Sequence, residues 1–407
     1  MIPLPLDIAA ELGELDRAGW TDELTGLQVD SRRIEEGDLF IALRGGEDFR
    51  RHAFARGAAA TLVPRDEHAA LAAIAGAVRD RSSARFVGIT GSMGKTTTKD
   101  ILAAICEPQR RTVAAERSFN AEIGVPLTIG RVEPDTELCI LELAMRGFGQ
   151  IAELCAFARP DVGVVTMIAP VHIEKVGSLE GVIRAKSELV AALPPGGIAV
   201  VPAGFEVGRD DLDVVRVGED VVVESFEPPI LVTSLGTVEV SFTARHLAHN
   251  ALTALATARA LGLELPERID VAFADMRNEE LPLAGGGVLL NDAWNANPIS
   301  MRAALEHLAA VAGARRRIAV LGEMAELGDY AGEAHREVAQ AVADVGVDVL
   351  ISVGEQARVY GGTYAADAGK AVALLRANVQ PGDCVLVKGA RVLGLERVAE
   401  AIASVSA

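Results

Sequence analysis

The sequence has few cysteines and no long apolar run. Its four cysteines lie in or beside apolar stretches, and no two have the spacing of metal ligands: Cys106, Cys139, Cys155 and Cys384. We therefore predict reduced thiols in the core of a cytosolic protein. No apolar run approaches the length of a membrane span, and the start of the chain lacks the pattern of a signal peptide. We expect a cytoplasmic protein without a membrane span.

Positive charge is also scarce. The formal net charge is −18, and lysine occurs only at Lys95, Lys99, Lys175, Lys186, Lys370 and Lys388. Proteins that bind nucleic acid in bulk usually present a basic face, so no nucleic-acid partner is expected. An anionic ligand remains compatible, because local cations and N–H groups decide its binding. The rarity of lysine reflects either genomic base composition or positions at which the chemistry requires an amine.

The length and the apolar content predict several packed domains. Half of the 407 residues are hydrophobic, and a chain of this length usually forms two or three domains. Apolar strand-like runs alternate with helical runs after residue 84 and again after residue 286, which predicts parallel sheets covered by helices. We divide the chain into 1–83, 84–285 and 286–407. Residues 214–243 differ, because their short Val-rich strands predict an antiparallel appendage.

The segment GSMGKTTTKD, residues 91–100, lies between a predicted strand and a predicted helix. In a phosphate loop, backbone N–H groups of a glycine-rich turn and the following helix N-terminus bind the anion. The lysine reaches the terminal phosphates and the Ser/Thr hydroxyl binds magnesium. Gly91, Gly94, Lys95 and Thr96 fit these roles. The usual spacing would require a glycine in place of Ile89, so we predict a variant phosphate loop.

Two further polar residues follow neighbouring predicted strands. Glu142 ends one apolar run and His172 follows the next. Because ligands of open α/β sheets bind at the carboxyl ends of the strands, we expect Thr96, Glu142 and His172 to lie together. Taken alone, Glu142 has the character of a surface residue and His172 that of a loop residue.

Other polar positions have ordinary interpretations when they are taken alone. Lys186 lies on an amphipathic helical run, which indicates a solvated helix lysine. Asn120 and the Asn-Ala-Asn-Pro segment that begins at Asn295 are compatible with turns. The segments HREV and HLAHN have the character of helix surface.

Together, these segments resemble the Mur ligases of bacterial cell-wall synthesis over nearly the whole chain. The resemblance rests on TGSMGKTTTKD, SFNAEIGVPLT, HIEKVGSLEGVIRAKSEL, HLAHNALTALA, NDAWNANPISMRAAL, VLGEMAELGDYAGEAHREV and VLVKGAR. Folylpolyglutamate synthetases share the phosphate loop. NANP before Ser-Met, and LGEMAELG, are typical of the members that add D-alanyl-D-alanine.

The resemblance implies an α/β fold with three domains and an ATP-dependent reaction. A small N-terminal α/β domain would bind the UDP end of the substrate. A central P-loop ATPase-like domain, with a parallel sheet and helices, would bind ATP and two Mg²⁺ ions, and a Rossmann-like C-terminal domain would close over them. The implied reaction joins D-alanyl-D-alanine to UDP-N-acetylmuramoyl-tripeptide through an acyl phosphate, with release of ADP, in cytoplasmic peptidoglycan synthesis. We expect a monomer.

The family's functional residues carry over to numbered positions of this chain. Lys95, Lys186 and His172 would be catalytic, with Lys186 carbamylated, and Thr96, Glu142 and His172 would hold magnesium. Asp30, Ser31 and Arg32 would bind the uridine end of the substrate. The implied ATP-binding residues are Gly91, Ser92, Gly94, Lys95, Thr96, Thr97, Asn120, His246, Asn250, Asp292, Asn295 and Asn297.

The chain departs from the family pattern near both substrates. Four residues replace the usual ones: Met167 an Asn, Ala169 a Gly, Trp294 a Tyr and Ala390 a Ser. The family pattern has an arginine that approaches ATP near position 280. This chain has glutamate at Glu280, so either the arginine is missing or Arg277 takes its role. The first-domain segment GGEDFRRHAF is shortened. These departures leave two alternatives to the leading hypothesis: a divergent ligase with another substrate, and an ATP-binding regulatory protein without turnover.

Overall fold

The computed structural model describes residues 1–170 and 173–403, and the phosphate-loop segment lies at one end of a central parallel sheet. The region before this sheet contains a two-stranded sheet, β1–β3, and a four-stranded sheet of order β2–β6–β5–β4. Its elements are β1 (Leu4–Pro5), α1 (Asp7–Ala10), β2 (Gly13–Arg17), β3 (Glu23–Leu24), β4 (Gly26–Gln28), β5 (Asp38–Ile41), α2 (Arg50–Ala55), β6 (Ala60–Pro64) and α3 (Glu67–Arg81).

The central sheet has the strand order β12–β11–β10–β7–β9–β8, with all neighbours parallel. A second sheet, β13–β14–β15–β16, lies beside it. The elements are β7 (Arg85–Thr90), α4 (Lys95–Cys106), β8 (Thr112–Ala114), α5 (Gly124–Ile129), β9 (Leu138–Glu142), α6 (Gln150–Ala158), β10 (Val162–Val165), α7 (Ile173–Val176), α8 (Leu179–Ala191), β11 (Ile198–Pro202), β12 (Asp213–Val217), β13 (Val223–Glu227), β14 (Ile230–Thr233), β15 (Gly236–Val240), α9 (Leu247–Ala260) and β16 (Arg268–Ile269).

Helices cover both faces of the central sheet, which explains its apolar strands. Every residue of β9 and β10 is buried, as expected of parallel strands with two covered faces. One face packs against α4 and α9. The other face packs against α3, α5, α6 and α8 in a core that continues into the N-terminal sheets. The carboxyl ends of β7, β9 and β10 are therefore held at one edge.

The third large sheet has the order β17–β18–β22–β19–β20–β21, in which only β17 runs antiparallel to its neighbour. One face packs on α10 and α11 and the other on α12 and α13. The elements are β17 (Glu279–Leu283), β18 (Gly287–Asp292), α10 (Pro298–Ala312), β19 (Arg317–Gly322), α11 (Ala331–Val345), β20 (Val349–Val353), β21 (Thr363–Ala365), α12 (Ala368–Asn378), β22 (Cys384–Lys388) and α13 (Glu396–Ala403).

The predicted antiparallel appendage at residues 214–243 was only partly right. β13, β14 and β15 are antiparallel, but β12 pairs in parallel with β11 at the edge of the central sheet. A parallel pair needs a crossover connection, which residues 203–212 supply. Phe205 and Leu212 of this connection are buried against β11, so the crossover itself covers the sheet. The segment pattern in the sequence did not reveal this packing.

The cysteines match their prediction. All four are buried free thiols, and burial raises the pKa of Cys155 to about 12 and that of Cys384 to about 11. Such thiols stay protonated and unreactive near neutral pH. Within residues 1–170 and 173–403, no helix is long and apolar enough to cross a membrane.

His335 is a buried residue of α11, which corrects the interpretation of HREV as helix surface. Its Nδ1 lies 2.7 Å from the Ala331 carbonyl oxygen, and its Nε2 accepts the Met324 N–H at 3.0 Å. The ring stacks on Tyr360 with centroids 5.5 Å apart. The neutral tautomer with its proton on Nδ1 satisfies both contacts. His335 therefore fixes the loop that follows β19.

We expect His335→Leu to lower the free energy of unfolding by about 1–3 kcal/mol at pH 7.5, because the buried Met324 N–H loses its acceptor. Burial lowers the pKa of His335, so the folded protein binds fewer protons than the unfolded chain. Its contribution is complete above the ordinary pKa of about 6.5 and is lost as pH falls below that value. Urea unfolding at several pH values between about 7.5 and 5.5 measures this effect. The free energy of unfolding should fall less with decreasing pH in the variant than in the wild type. The exposed His68 provides the control His68→Leu, and equal slopes in both variants would contradict this assignment.

Candidate active site

The loop between β7 and α4 is shaped to bind phosphate. Gly91 and Gly94 have φ angles of +147° and +77°, a region that L-residues rarely adopt. A Cβ on Gly94 would lie 2.6 Å from the Asn250 side-chain oxygen. α4 begins at Lys95, so its N-terminal N–H groups and dipole face the same space. The Lys95 amine donates to the Gly91 carbonyl at 2.8 Å and closes the loop.

We expect Gly94→Ala to weaken ATP binding more than tenfold, because the new methyl group adds backbone strain and a clash with Asn250. Gly149 is the matched control. It precedes α6 as Gly94 precedes α4, has a φ of +82°, and a Cβ at this position would meet only open space. Gly149→Ala therefore introduces the strain without the clash. Isothermal titration with ATP should show a large loss only for Gly94→Ala, and equal affinities for the two variants would contradict the role of the close approach.

Thr96, Glu142 and Asn120 form one hydrogen-bonded group beneath the loop. The Thr96 hydroxyl donates to Glu142 Oε2 at 2.8 Å, and the Asn120 amide donates to Oε1 at 2.7 Å. Thr96 and Glu142 are both buried, so Glu142 is not the surface residue that its position alone suggested. The carboxyl ends of β7 and β9 bring these groups together as expected.

Ser92 ties the phosphate loop to the residues that follow β10. The Ser92 N–H donates to the Met167 carbonyl at 2.7 Å, and its hydroxyl lies 3.0 Å from both the N and the O of Ala169. These contacts use main-chain atoms of residues 167 and 169. They therefore do not depend on the two side chains in which this chain departs from the family. Thr97 is buried in the first turn of α4.

Lys186 is buried, which overturns its interpretation as a solvated helix lysine. Its relative exposure is 1%, and burial, followed by the nearby Lys95 charge, holds the pKa of its amine well below the ordinary value. Burial also lowers the pKa of Lys95, with Glu142 opposing the shift. Among the residues that the structure describes, the Lys186 amine makes no hydrogen bond and no ion pair. His172, the third predicted catalytic residue, lies outside the described residues.

The opposite wall of the cleft comes from the six-stranded sheet that contains β18 and from α9. The cleft has a volume of about 440 Å³ and is lined by the loop, by Glu142 and by six of the other predicted ATP-binding residues: Asn120, His246, Asn250, Asp292, Asn295 and Asn297. Lys388 donates to the Asp292 carboxylate and, at 3.0 Å, to the Asn295 carbonyl. This volume is within the usual range for small-molecule sites.

Asn297 lines the cleft and also caps the N-terminus of α10. Its side-chain oxygen accepts the Ser300 N–H at 2.9 Å, and the Ser300 hydroxyl accepts the Asn297 N–H at 3.0 Å. This capping box, with Pro298 in the first helical position, starts α10. Asn297 is therefore a helix N-cap and not the turn residue that its pattern alone suggested.

Arg277 is the functional candidate that the sequence analysis left open. Its guanidinium lines the cleft, donates to the Ser118 hydroxyl at 3.2 Å and lies 5.3 Å from the Trp294 ring centre. Its buried Nε has no hydrogen-bond partner in the described chain. The preceding Met276 has a φ of +60°, a conformation suited to glycine. Arg277, three residues before Glu280, therefore takes the place in the cleft that was expected of an arginine near Glu280.

Glu280 itself lies away from the cleft lining. It accepts the Thr243 hydroxyl, and its Oε1 is 3.2 Å from His307 Nε2. The His307 contact is the main reason that the pKa of Glu280 is lowered. Glu280 thus links the stretch before α9 to α10 and does not place a negative charge among phosphates.

Asp30, Ser31 and Arg32 lie in the N-terminal region and do not line this cleft. Asp30 caps a short 3₁₀ turn and pairs with Arg32 at 2.7 Å, which holds the pKa of Asp30 at about 2. Ser31 is buried, and its hydroxyl lies 2.9 Å from His52 Nδ1. The role of these residues toward a substrate remains a prediction.

Comparison with known proteins places this architecture in a defined class. Residues 89–258 match the Mur ligase middle domain, and residues 276–391 match the Mur ligase glutamate ligase domain. The structure is similar to that of MurF from Acinetobacter baumannii, with a TM-score of 0.84, 26% identity and 99% of each chain covered. MurF from Thermotoga maritima, solved in complex with ADP, gives a TM-score of 0.78 at 26% identity over 93% of this chain and 97% of that chain. The fold is that of a Mur ligase.

Curated relatives narrow the class further. The chain is 33% identical to the UDP-N-acetylmuramoyl-tripeptide–D-alanyl-D-alanine ligase of Escherichia coli over 96% of each chain. It is also 33% identical to the ligase of the same name from Mycobacterium tuberculosis, over 92% of this chain and 91% of the relative. The chain belongs to the UDP-N-acetylmuramoyl-tripeptide–D-alanyl-D-alanine ligase family. The predicted family and the predicted α/β fold are confirmed.

Proposed function

We propose that the chain catalyses the ATP-dependent, ADP-forming ligation of D-alanyl-D-alanine to UDP-N-acetylmuramoyl-tripeptide in peptidoglycan precursor synthesis. The observation that carries this proposal is the cleft lined by the phosphate loop, Lys95, Thr96 and Glu142. The function agrees with the family to which the chain belongs. ATP is the nucleotide, since the loop binds phosphates and a related MurF is known with ADP.

The reaction requires activation of a carboxylate. Transfer of the γ-phosphoryl group of ATP to the terminal carboxylate of the tripeptide gives an acyl phosphate and ADP. The amine of D-alanyl-D-alanine then attacks the acyl carbon, and the tetrahedral intermediate expels phosphate as the amide forms. No protein nucleophile is needed, so the residues act by positioning and by charge stabilisation.

Three cationic or N–H groups of the chain face the phosphates in this proposal. Lys95 leaves the Gly91 carbonyl and contacts the β- and γ-phosphates, and the α4 N-terminus binds their oxygens. Arg277, whose Nε has no partner in the described chain, contacts the transferred phosphoryl group. Asn120, His246, Asn250, Asp292 and Asn295 hold the rest of the nucleotide. These roles stay proposals that the cleft geometry supports.

The donor set fits magnesium. Thr96 offers a hydroxyl and Glu142 a carboxylate 2.8 Å away, and Mg²⁺ prefers oxygen ligands from few side chains while keeping several waters. In residues 1–170 and 173–403, no group of three or more His, Cys, Asp or Glu is placed to hold a metal. A bound Mg²⁺ would neutralise phosphate charge. A second Mg²⁺ is proposed near His172.

Lys186 is proposed to be carbamylated. A neutral amine attacks CO₂, and loss of one proton gives a carbamate anion. The lowered pKa of Lys186 favours the neutral amine that this reaction needs. The anion would face Lys95 and support the second magnesium ion. Carbamylation would replace the proximity of two amines, Lys95 and Lys186, by an attraction between a cation and an anion.

Domain organisation and the remaining substrate contacts are also proposals. We retain the division 1–83, 84–285 and 286–407, noting that the edge strand β17 of the third sheet lies before residue 286. Asp30, Ser31 and Arg32 would bind the uridine end, and the protein would act as a monomer in the cytoplasm. The position of Glu280 away from the cleft removes the observation that favoured a regulatory protein without turnover.

The deciding experiment is ADP formation by the purified protein with Mg²⁺, ATP, UDP-N-acetylmuramoyl-tripeptide and D-alanyl-D-alanine, with each component omitted in turn. We expect ADP only when all four are present, together with a UDP-N-acetylmuramoyl-pentapeptide detected by mass spectrometry. ADP formation with the tripeptide nucleotide and another amine, but not with D-alanyl-D-alanine, would favour the divergent ligase. ATP binding without amine-dependent ADP formation would refute both ligases.

A further inference from the structure

The segment 274–278 carries Arg277 into the cleft in an unusual backbone conformation. It connects β16 to β17, and both neighbours of Arg277 have positive φ angles, +60° for Met276 and +50° for Asn278. Residues with side chains persist in this region only when their surroundings hold them. The direction of the Arg277 side chain therefore depends on contacts that fix this segment.

Asp100 of α4 supplies one of these contacts. Its Oδ2 accepts the Ala274 N–H at 3.1 Å, and its Oδ1 is 2.7 Å from the Lys99 amine. Both side chains are largely shielded from solvent, with 3% of the Lys99 side chain and 11% of the Asp100 side chain exposed. Neither residue belongs to the cleft lining. Any effect of these residues on the site is therefore indirect, through the 274–278 segment.

Lys99 supplies the second contact by way of the loop after β8. Its amine also donates to the carbonyls of Ala115 at 2.6 Å and Arg117 at 3.1 Å. The next residue, Ser118, accepts the hydrogen bond from Arg277. An ammonium has three donors, and Lys99 has three acceptors placed around it. This requirement gives a chemical reason for one of the six lysines in an arginine-rich chain.

We propose that Lys99 and Asp100 are positioning residues that hold the Arg277 guanidinium in the phosphate cleft. The same helix, α4, presents Lys95 and Thr96 from its first turn and fixes the 274–278 segment from its second. One rigid element thereby aligns cations from two distant parts of the chain. The proposal rests on the proposed function, because Arg277 matters for turnover only if the phosphoryl group of ATP is transferred here.

The test is a double-mutant cycle between Asp100 and Arg277 in the full chain. We measure kcat/KM for ATP, with the other substrates saturating, for Asp100→Ala, Arg277→Ala and the double variant. Arg277→Ala should lose about 10²-fold, as for removal of one charge-stabilising donor, and Asp100→Ala about tenfold. The double variant should be no worse than Arg277→Ala, because Asp100 acts only through Arg277. Asp100→Asn should recover part of the loss, since its amide oxygen can accept the Ala274 N–H.

A matched carboxylate controls for general destabilisation. Asp161 also accepts a backbone N–H, from Phe86 at 2.8 Å, and pairs with Arg79, but it directly precedes β10, at the opposite end of the strand from the cleft. Asp161→Ala should lower Tm and leave kcat/KM unchanged. If the losses of Asp100→Ala and Arg277→Ala multiply in the double variant, Asp100 does not act through Arg277 and the proposal is wrong.

A second readout does not depend on turnover. The backbone N–H of Trp294 donates to the Met276 carbonyl at 3.2 Å, and its ring lies beside the Arg277 guanidinium. In a Trp20→Phe background, Trp294 is the remaining tryptophan. Asp100→Ala should shift its fluorescence in the same direction as Arg277→Ala, whereas Asp161→Ala should not. An unchanged Trp294 signal in Asp100→Ala would overturn the proposal even if the wild type showed no ligase activity, which separates this failure from that of the proposed function.

Discussion

Replacing Lys95 by methionine is expected to lower kcat/KM for ATP by about 10³-fold, the upper end of the effect of removing one preorganised donor. Methionine keeps most of the volume and the apolar stem but removes the charge that would contact the β- and γ-phosphates. The hydrogen bond to the Gly91 carbonyl is also lost, so the loop loses its closing contact. ATP affinity should fall less than kcat, because charge accumulates on the phosphoryl group in the transition state.

The measurement is steady-state ADP formation together with ATP titration calorimetry. Lys370→Met is the control, since Lys370 is exposed on α12 in the third region of the chain. Lys95→Met should unfold at nearly the wild-type temperature, because removal of a buried amine offsets the lost hydrogen bond. Near-wild-type kcat in Lys95→Met would refute the assignment of the 91–100 loop as the catalytic phosphate site.

The phosphate site could be predicted from sequence because its parts are local. Strand, glycine turn, lysine, threonine and helix are contiguous in residues 85–106, and the structure arranges them as expected. Glu142 could be added because parallel strands end at one edge of a sheet. The capped start of α10 at Asn297 is also local. In each case the side-chain position follows from a few adjacent residues.

The helix pattern, taken alone, placed Lys186 on a solvated face, because periodicity defines a face of the helix but not what packs against it. Arg184 is exposed and Glu188 accepts the Gly149 N–H at the start of α6, whereas Lys186 is buried. Only the tertiary fold brings α8 against β7 and β10. A lysine on the core face of α8 could have been recognised as buried, but the sequence alone did not identify that face.

Arg277 was left open for a different reason. The arginine was expected near Glu280, and the structure directs Arg277 into the cleft with Met276 at positive φ. The contacts that hold it come from residues 100 and 118, more than one hundred and fifty positions away in the chain. Such long-range contacts leave no local pattern in the sequence. The direction of Arg277 into the cleft therefore could not be predicted from the sequence.

The largest effect after that of Lys95 is expected for Lys186→Ala, which should lose about 10³-fold in kcat if the carbamate supports a magnesium ion. Lys186→Met should be equally inactive and at least as stable as the wild type, because a buried amine without a partner in the described chain is replaced by an apolar group of similar size. Lys186→Arg should not restore activity, because a guanidinium cannot form the anion.

Chemical rescue separates a carbamate from a plain lysine. Acetate or propionate can enter the space left in Lys186→Ala and supply the missing carboxylate, so we expect partial recovery of kcat that saturates with the added acid. The same acids should not restore Lys95→Met, where the missing group is a cation. Labelling with ¹³CO₂ should give a carbamate carbon resonance in the wild type that is absent from Lys186→Met. Rescue by amines in place of carboxylates would mean that Lys186 acts as a cation, and the carbamate assignment would be wrong.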